Sequence, residues 1–324
     1  MKHSTLLACT LLALPAVSQE RAQVGSKLPD IAFPEFLNGD GRQKLSQFFG
    51  QPVVIIRWGK NSGPCIAGSV PSAIKRDHEL KPRGLVTILV EVQGADAITL
   101  EALLWKKFPT NDCASCVNVP LPIPESSELP HGCVIGVDGT LLWAGNPIKE
   151  AKKIDTLVEA ELIKVRKGWG ENAEAKRVRS TLYDKGYLAD AHTMTTAMQD
   201  GPEKTAVQAE VDARYKSAKA AIVTLKDLGR YVAARERARQ LAKNLGRRYD
   251  WLAEVARLDT LETPEAKAEL ALDEKLEEIL RLLRDKKGEK AMKALQDLPK
   301  DGANLKVHAR ATRLLTALQM KLED

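Results

Sequence analysis

Val53-Val54-Ile55-Ile56-Arg57-Trp58-Gly59-Lys60-Asn61-Ser62-Gly63-Pro64-Cys65 is the stretch that decides the fold. Its first six residues form a mostly β-branched, mostly apolar run, the pattern of a strand buried on both faces. Gln51-Pro52 marks where the run begins. After Gly59 the chain turns, and a helix is expected from about Ser62. A buried strand that feeds directly into a helix is the opening of an α/β unit.

Working outward, the same alternation continues across residues 24–150. Leu85 to Val92, introduced by Arg83-Gly84, reads as a second buried strand, and Ile98 to Lys107 as a helix. Cys133–Val137 and Thr140–Trp143 flank Asp138-Gly139, a strong hairpin signal. Ile148 to Val165 reads as a closing amphipathic helix. From residue 171 onward strand signals vanish and Ala, Leu, Glu, Lys and Arg dominate. Tyr231, Ala234, Ala238, Leu241 and Leu245 recur at helical spacing, as do Leu272, Leu276, Ile279, Leu280 and Leu283. Val307, Ala311, Leu314, Leu315, Leu318 and Leu322 follow the same spacing. Thr263-Pro264 reads as a helix start and Asp301-Gly302 as a turn. Residues 225–258 and 282–315 follow a similar plan at an offset of 57, pairing Ala234 with Ala291, Leu241 with Leu298 and Leu258 with Leu315. This fits either a short helical-repeat array or a plain bundle.

The 324 residues suit two domains, and 44% apolar content describes a globular chain. A net charge of +6 is too mild to imply a nucleic-acid partner. Lys2 and His3 precede an apolar run from Leu6 to Leu14, and Ala16-Val17-Ser18 offers small residues for cleavage. Residues 1–18 are therefore expected to be a signal peptide, 19–168 an α/β domain and 169–324 an all-α domain. The expected location is extracytoplasmic. Leu6-Leu7-Ala8-Cys9 also has the form of a lipidation box, so membrane association is expected only through Cys9. Arg230 to Arg248 carries seven basic residues and one acid, which reads as a solvated helix face or as a surface for anionic lipid or an acidic partner.

With these residues in view, the first domain resembles the TlpA-like thioredoxin family of exported thiol-disulfide oxidoreductases, and more broadly the redoxins and peroxiredoxins. Val24 to Asp30 looks like the family's opening segment, and Asn38-Gly39-Asp40-Gly41 leading to Leu45-Ser46-Gln47-Phe48 like its first hairpin and short helix. Trp58 ends the first central strand. Ser62-Gly63-Pro64-Cys65 stands where the family has Cys-Gly-Pro-Cys, with Pro71 matching a helix proline. Leu129-Pro130 stands where the family carries a cis-proline facing the active site. The resemblance implies an α/β thioredoxin-like domain, followed here by the all-α, repeat-like domain.

It also implies site residues, with one departure. The family's nucleophilic first cysteine is here Ser62, whose hydroxyl neither ionises near neutral pH nor forms a disulfide. Ser62 reads as an N-cap accepting the N–H of Cys65. Cys65 corresponds to the resolving cysteine, and a place in the first helical turn favours its thiolate. It is read either as a single reactive thiol or as an inert core thiol. His131, next to Pro130, is expected either beside Cys65 or as a bare surface histidine. Cys113-Ala114-Ser115-Cys116 reads as a disulfide stapling the loop before a strand, or as a relocated redox pair. The remaining ligands do not suit zinc, and Val117 in place of histidine excludes haem attachment, so no cofactor is expected. Cys133 is expected in the core, with a Cys65–Cys133 disulfide left open.

Two functions follow. One is altered or residual thiol-disulfide exchange with protein thiols or disulfides. The other is a non-catalytic thioredoxin-fold scaffold whose helical domain recruits a protein partner.

Overall fold

The computed structural model describes residues 21–321 apart from 35, 125, 247–248, 260–262 and 299–304. The expected signal segment, Cys9 and the Asp301-Gly302 turn lie outside the described residues.

Five strands form one mixed sheet: β1 (Val53–Trp58), β2 (Val86–Glu91), β3 (Ala114–Val117), β4 (His131–Ile135) and β5 (Leu141–Gly145). Their spatial order is β3-β2-β1-β4-β5. β1, β2 and β3 run parallel, β4 runs antiparallel to β1, and β5 pairs antiparallel with β4 as a hairpin. The parallel pairs need crossovers, supplied by α1 (Val70–Leu80) and α2 (Ala97–Lys107). The hairpin closes on Asp138-Gly139: Gly139 takes φ +85°, and the Asp138 carboxylate accepts the Thr140 N–H at 3.1 Å. Helix α3 (Ala151–Lys167) returns over the sheet and ends the domain.

Alternation along the strands divides the core. Val54, Ile56, Trp58, Leu89 and Val134 face α1, α2 and α3. Val53, Ile55, Ile88, Val90, Cys133 and Ile135 face the other way, where Leu28 to Phe48 of the N-terminal arm cover them. The architecture is thioredoxin-like. The sequence reading missed β3, which it took for a loop. It is a four-residue edge strand of Ala, Ser, Cys and Val, too short to show a pattern. Leu37 bridges Ser115 with a pair of backbone hydrogen bonds of 2.8 and 2.9 Å, which covers the exposed edge.

The chain from α4 onward is all helix: α4 (Ala173–Tyr183), α5 (Leu188–Ala197), α6 (Pro202–Asp227), α7 (Tyr231–Leu245), α8 (Tyr249–Asp259), α9 (Pro264–Arg284), α10 (Gly288–Gln296) and α11 (Lys306–Gln319). Thr263 caps α9 by accepting the Ala266 N–H at 3.1 Å, with Pro264 in the first turn. One apolar cluster joins α4 to α8, and a second joins α9 to α11. Of the residues paired at the 57 offset, Ala234, Ala291, Leu241 and Leu298 are buried and Leu315 is half-buried. Trp105 of α2 packs into the second helical cluster, and Arg313 of α11 pairs with Glu101 of α2 at 2.9 Å. The two halves thus share apolar and ionic contacts.

Candidate functional site

The site grows out of the C-terminal end of β1. Beyond Trp58 the chain needs an extended loop before it can enter a helix, and a buried carboxylate holds that loop. Glu91, at the end of β2, is fully buried. One of its oxygens accepts the N–H groups of Lys60 at 3.1 Å and Gln93 at 2.9 Å, and the other accepts the Ala95 N–H at 2.9 Å. Gln93 adds a side-chain acceptor for the Asn61 N–H at 2.9 Å. A Cβ at Gly59 would lie 2.3 Å from the Gln93 side chain, so a larger residue there would displace the group that accepts the Asn61 N–H. Glu91 and Gln93 escaped the sequence reading. The signal was present: a lone carboxylate inside the apolar run Leu85 to Val92.

Helical backbone begins at Gly63. Ser62 caps it through its backbone, not its hydroxyl: the Ser62 carbonyl accepts the N–H groups of Cys65 and Ile66, both at 3.0 Å. The expected side-chain cap is thus replaced by the tighter local bond. Cys65–Ser69 forms a π-turn that runs into α1, closed by the Val70 N–H on the Cys65 carbonyl. Pro71 explains the widening. It has no N–H to offer residue 67, and its ring would crowd that carbonyl in a regular α-helix. Ser62 is half-buried, Gly63 and Pro64 are exposed, and Cys65 is fully buried against Trp58 and Val70.

The Leu129–Pro130 peptide is cis. Arg57 of β1 pairs with His131 of β4, so Pro130 lies level with Trp58, at the sheet end from which the Ser62–Cys65 turn departs. Leu129 packs on the apolar cluster that contains Cys65. His131 does not join them. It shares the face of Cys133 and Ile135, beside Arg57, whereas Cys65 packs on the face of Val134. It is neither beside Cys65 nor a surface residue. His131 is buried, its Nδ1 has no hydrogen-bond partner, and burial together with the Arg57 charge holds it below the usual imidazole range.

The Cys113-x-x-Cys116 spacing resolves differently from a loop staple. Cys113 sits one residue before β3 and Cys116 within it, and residues three apart along an extended chain point to opposite faces. Cys113 enters the helix-side core and Cys116 the arm-side core. Cys65 and Cys133 are separated in the same way, and all four thiols are free and buried. The Cys113–Cys116 staple is therefore not formed, nor is a Cys65–Cys133 bond. Burial pushes Cys116 and Cys133 up to about 12. Cys113 is also pushed well up, by burial first and by the Asp77 carboxylate second. Among the described residues no group of histidines, cysteines and carboxylates is arranged to hold a metal ion. No described helix is long and apolar enough to cross a membrane.

Neither protein-family models nor curated proteins match the sequence. Solved structures do. A chain from Chlorobium tepidum assigned as the thiol:disulfide interchange protein DsbE aligns at 21% identity, covering 43% of this chain and 98% of that one, with a TM-score of 0.36. A thioredoxin-like superfamily protein aligns at 15% identity over 45% of this chain and 99% of that one, TM-score 0.38. A secreted thiol-disulfide isomerase from Corynebacterium glutamicum aligns at 17% over 46% and 95%, TM-score 0.36. The structures similar to this chain are thus thioredoxin-like, over somewhat less than half of its length.

Proposed function

We propose that the chain is an extracytoplasmic thioredoxin-fold protein that engages protein thiols or disulfides at the Ser62–Cys65 end of its sheet and does not run a dithiol cycle. The observation that supports this best is the placement of the sulfurs. Cys65 alone among the described cysteines lies in that turn, buried behind a serine, and the other three sit in the core with raised thiol pKa values. A dithiol cycle needs two sulfurs within bonding reach.

Chemistry is then limited to one exchange. The Cys65 thiolate attacks a partner disulfide, a new Sγ–Sγ bond forms, and the partner's second sulfur leaves as a thiolate. With a hydroxyl at Ser62, no neighbouring thiol resolves the adduct, and release requires an external thiol. The second reading, a scaffold without chemistry, is favoured by the complete burial of Cys65. In either case the helical domain offers the surface for a protein partner. The extracytoplasmic location is supported by the signal-like pattern of residues 1–18.

Incubation of the folded protein with a model disulfide, followed by mass spectrometry, separates the two. An adduct that maps to Cys65 and disappears in Cys65→Ala supports exchange. No adduct in the folded protein supports the scaffold. Insulin reduction above a blank by the wild type contradicts both.

A further inference from the structure

At the opposite end of the sheet the two domains enclose a second, chemically distinct feature. The turn Asn38 to Gly41 leaves the N-terminal arm and lies directly on α6. Gly41 has φ +77°, and a Cβ there would sit 2.2 Å from the Ala221 carbonyl oxygen. This contact fixes Asp40 and Arg42 against the helical domain. A cavity of about 300 Å³ opens beside them.

Three arginines from three different elements border it. The Arg42 guanidinium lies 4.1 Å above the Phe48 ring and donates through Nη1 to Gln51 Oε1 at 2.9 Å, but its Nε is buried without a partner. Arg237 of α7 reaches Asp40 Oδ2 at 3.1 Å, and Arg42 Nη2 lies 3.7 Å from the same oxygen. Arg214 of α6 has the Tyr183 ring 5.9 Å away and makes no hydrogen bond or ion pair with a described residue. One carboxylate therefore serves two of the three guanidinium groups, and the third has no ion pair with a described residue. The other acids on the cavity wall are Asp77, which pairs with Lys81 Nζ at 3.6 Å, and Asp112, whose backbone carbonyl accepts from the same Nζ at 2.9 Å.

We propose that this cavity binds a small dianionic oxyanion, a phosphate group or a dicarboxylate, through Arg42, Arg214 and Arg237. Guanidinium forks match the paired oxygens of both groups, and a dianion balances the excess charge of three arginines over one aspartate. Two half-buried guanidinium groups without a full complement of acceptors leave donors free for an anion. Burial depresses Arg42 to about 9 and also lowers Arg214, with mutual repulsion adding to both. Val86 and Thr87, at the start of β2, line this cavity, while the Ser62–Cys65 turn follows the end of parallel β1. The inference therefore stands apart from the thiol chemistry.

The test is titration calorimetry and thermal unfolding of the full chain with inorganic phosphate and with succinate, against sodium chloride at matched ionic strength. Saturable binding and a rise in Tm are expected with one or both oxyanions and not with chloride. The one that binds more tightly assigns phosphate or carboxylate chemistry. Arg214→Met and Arg237→Met are each expected to weaken binding about tenfold or more. Arg214→Met, which removes a half-buried guanidinium with no ion pair to a described residue, should melt at or above the wild type in chloride alone. Absence of saturable binding by both oxyanions, or unchanged affinity in both variants, overturns the proposal.

Discussion

Glu91 shows how much one side chain can organise. Its carboxylate accepts three backbone N–H groups from two loops, one carrying the chain from β1 into the Ser62–Cys65 turn and the other from β2 into α2. Leaving buried donors unmatched costs about 1–3 kcal/mol each. Glu91→Ala should therefore lose roughly 2–4 kcal/mol of unfolding free energy in urea, and Glu91→Gln, which retains an acceptor, should recover part of it. A loss under about 0.5 kcal/mol would show that water replaces the carboxylate. Asp77 behaves in the opposite sense. It is almost fully buried, its Oδ2 has no hydrogen-bond partner, and burial raises it above 3.8 despite Lys81. The folded state then holds this proton more tightly than the unfolded state. Its contribution to stability is present at acid pH and is lost as pH rises through the raised value. Asp77→Asn should therefore gain stability over the wild type at pH 7, and the difference should shrink toward pH 3. A variant less stable than the wild type at both pH values contradicts this.

At the scale of elements, the central strands, the crossover helices and the hairpin were legible because each carries a strong local pattern: β-branched runs, helical spacing, Asp138-Gly139. The thioredoxin-like reading held for the same reason. β3 was not legible, and the error propagated to the cysteines. A C-x-x-C motif in a loop can close a ring, but the same motif in a strand sends its sulfurs to opposite faces. His131 was misplaced by the same alternation. Its neighbour Pro130 belongs to the site end, yet one step along β4 the side chain turns into the other core. The Ser62 cap failed because backbone geometry supplied a competing acceptor. The strand account has a direct check. In protein beginning after residue 18 and prepared without reductant, four thiols should titrate in denaturant, and almost none within minutes in the native state. Two missing thiols would restore the disulfide reading.

At the scale of the molecule, the helical half is built onto the sheet domain. Trp105 enters the cluster of α9 to α11, Arg313 meets Glu101, and Gly41 touches Ala221. Gly41→Ala combines a positive φ with a 2.2 Å clash against backbone, so about 2–4 kcal/mol of destabilisation is expected. Separate unfolding transitions for the two halves should then appear in calorimetry, where a single transition is expected for the wild type. The helical half makes no chemistry of its own legible in sequence, because its charges acquire meaning only against the sheet domain. The proposed function turns on one feature: the Ser62–Cys65 turn carries a hydroxyl three residues before its buried thiol. The most direct measurement of that claim is the behaviour of Ser62→Cys under mild oxidation. The variant should lose two titratable thiols through a bond between positions 62 and 65 and should reduce insulin well above the wild type. A variant that keeps all its thiols free and stays as inactive as the wild type contradicts the account.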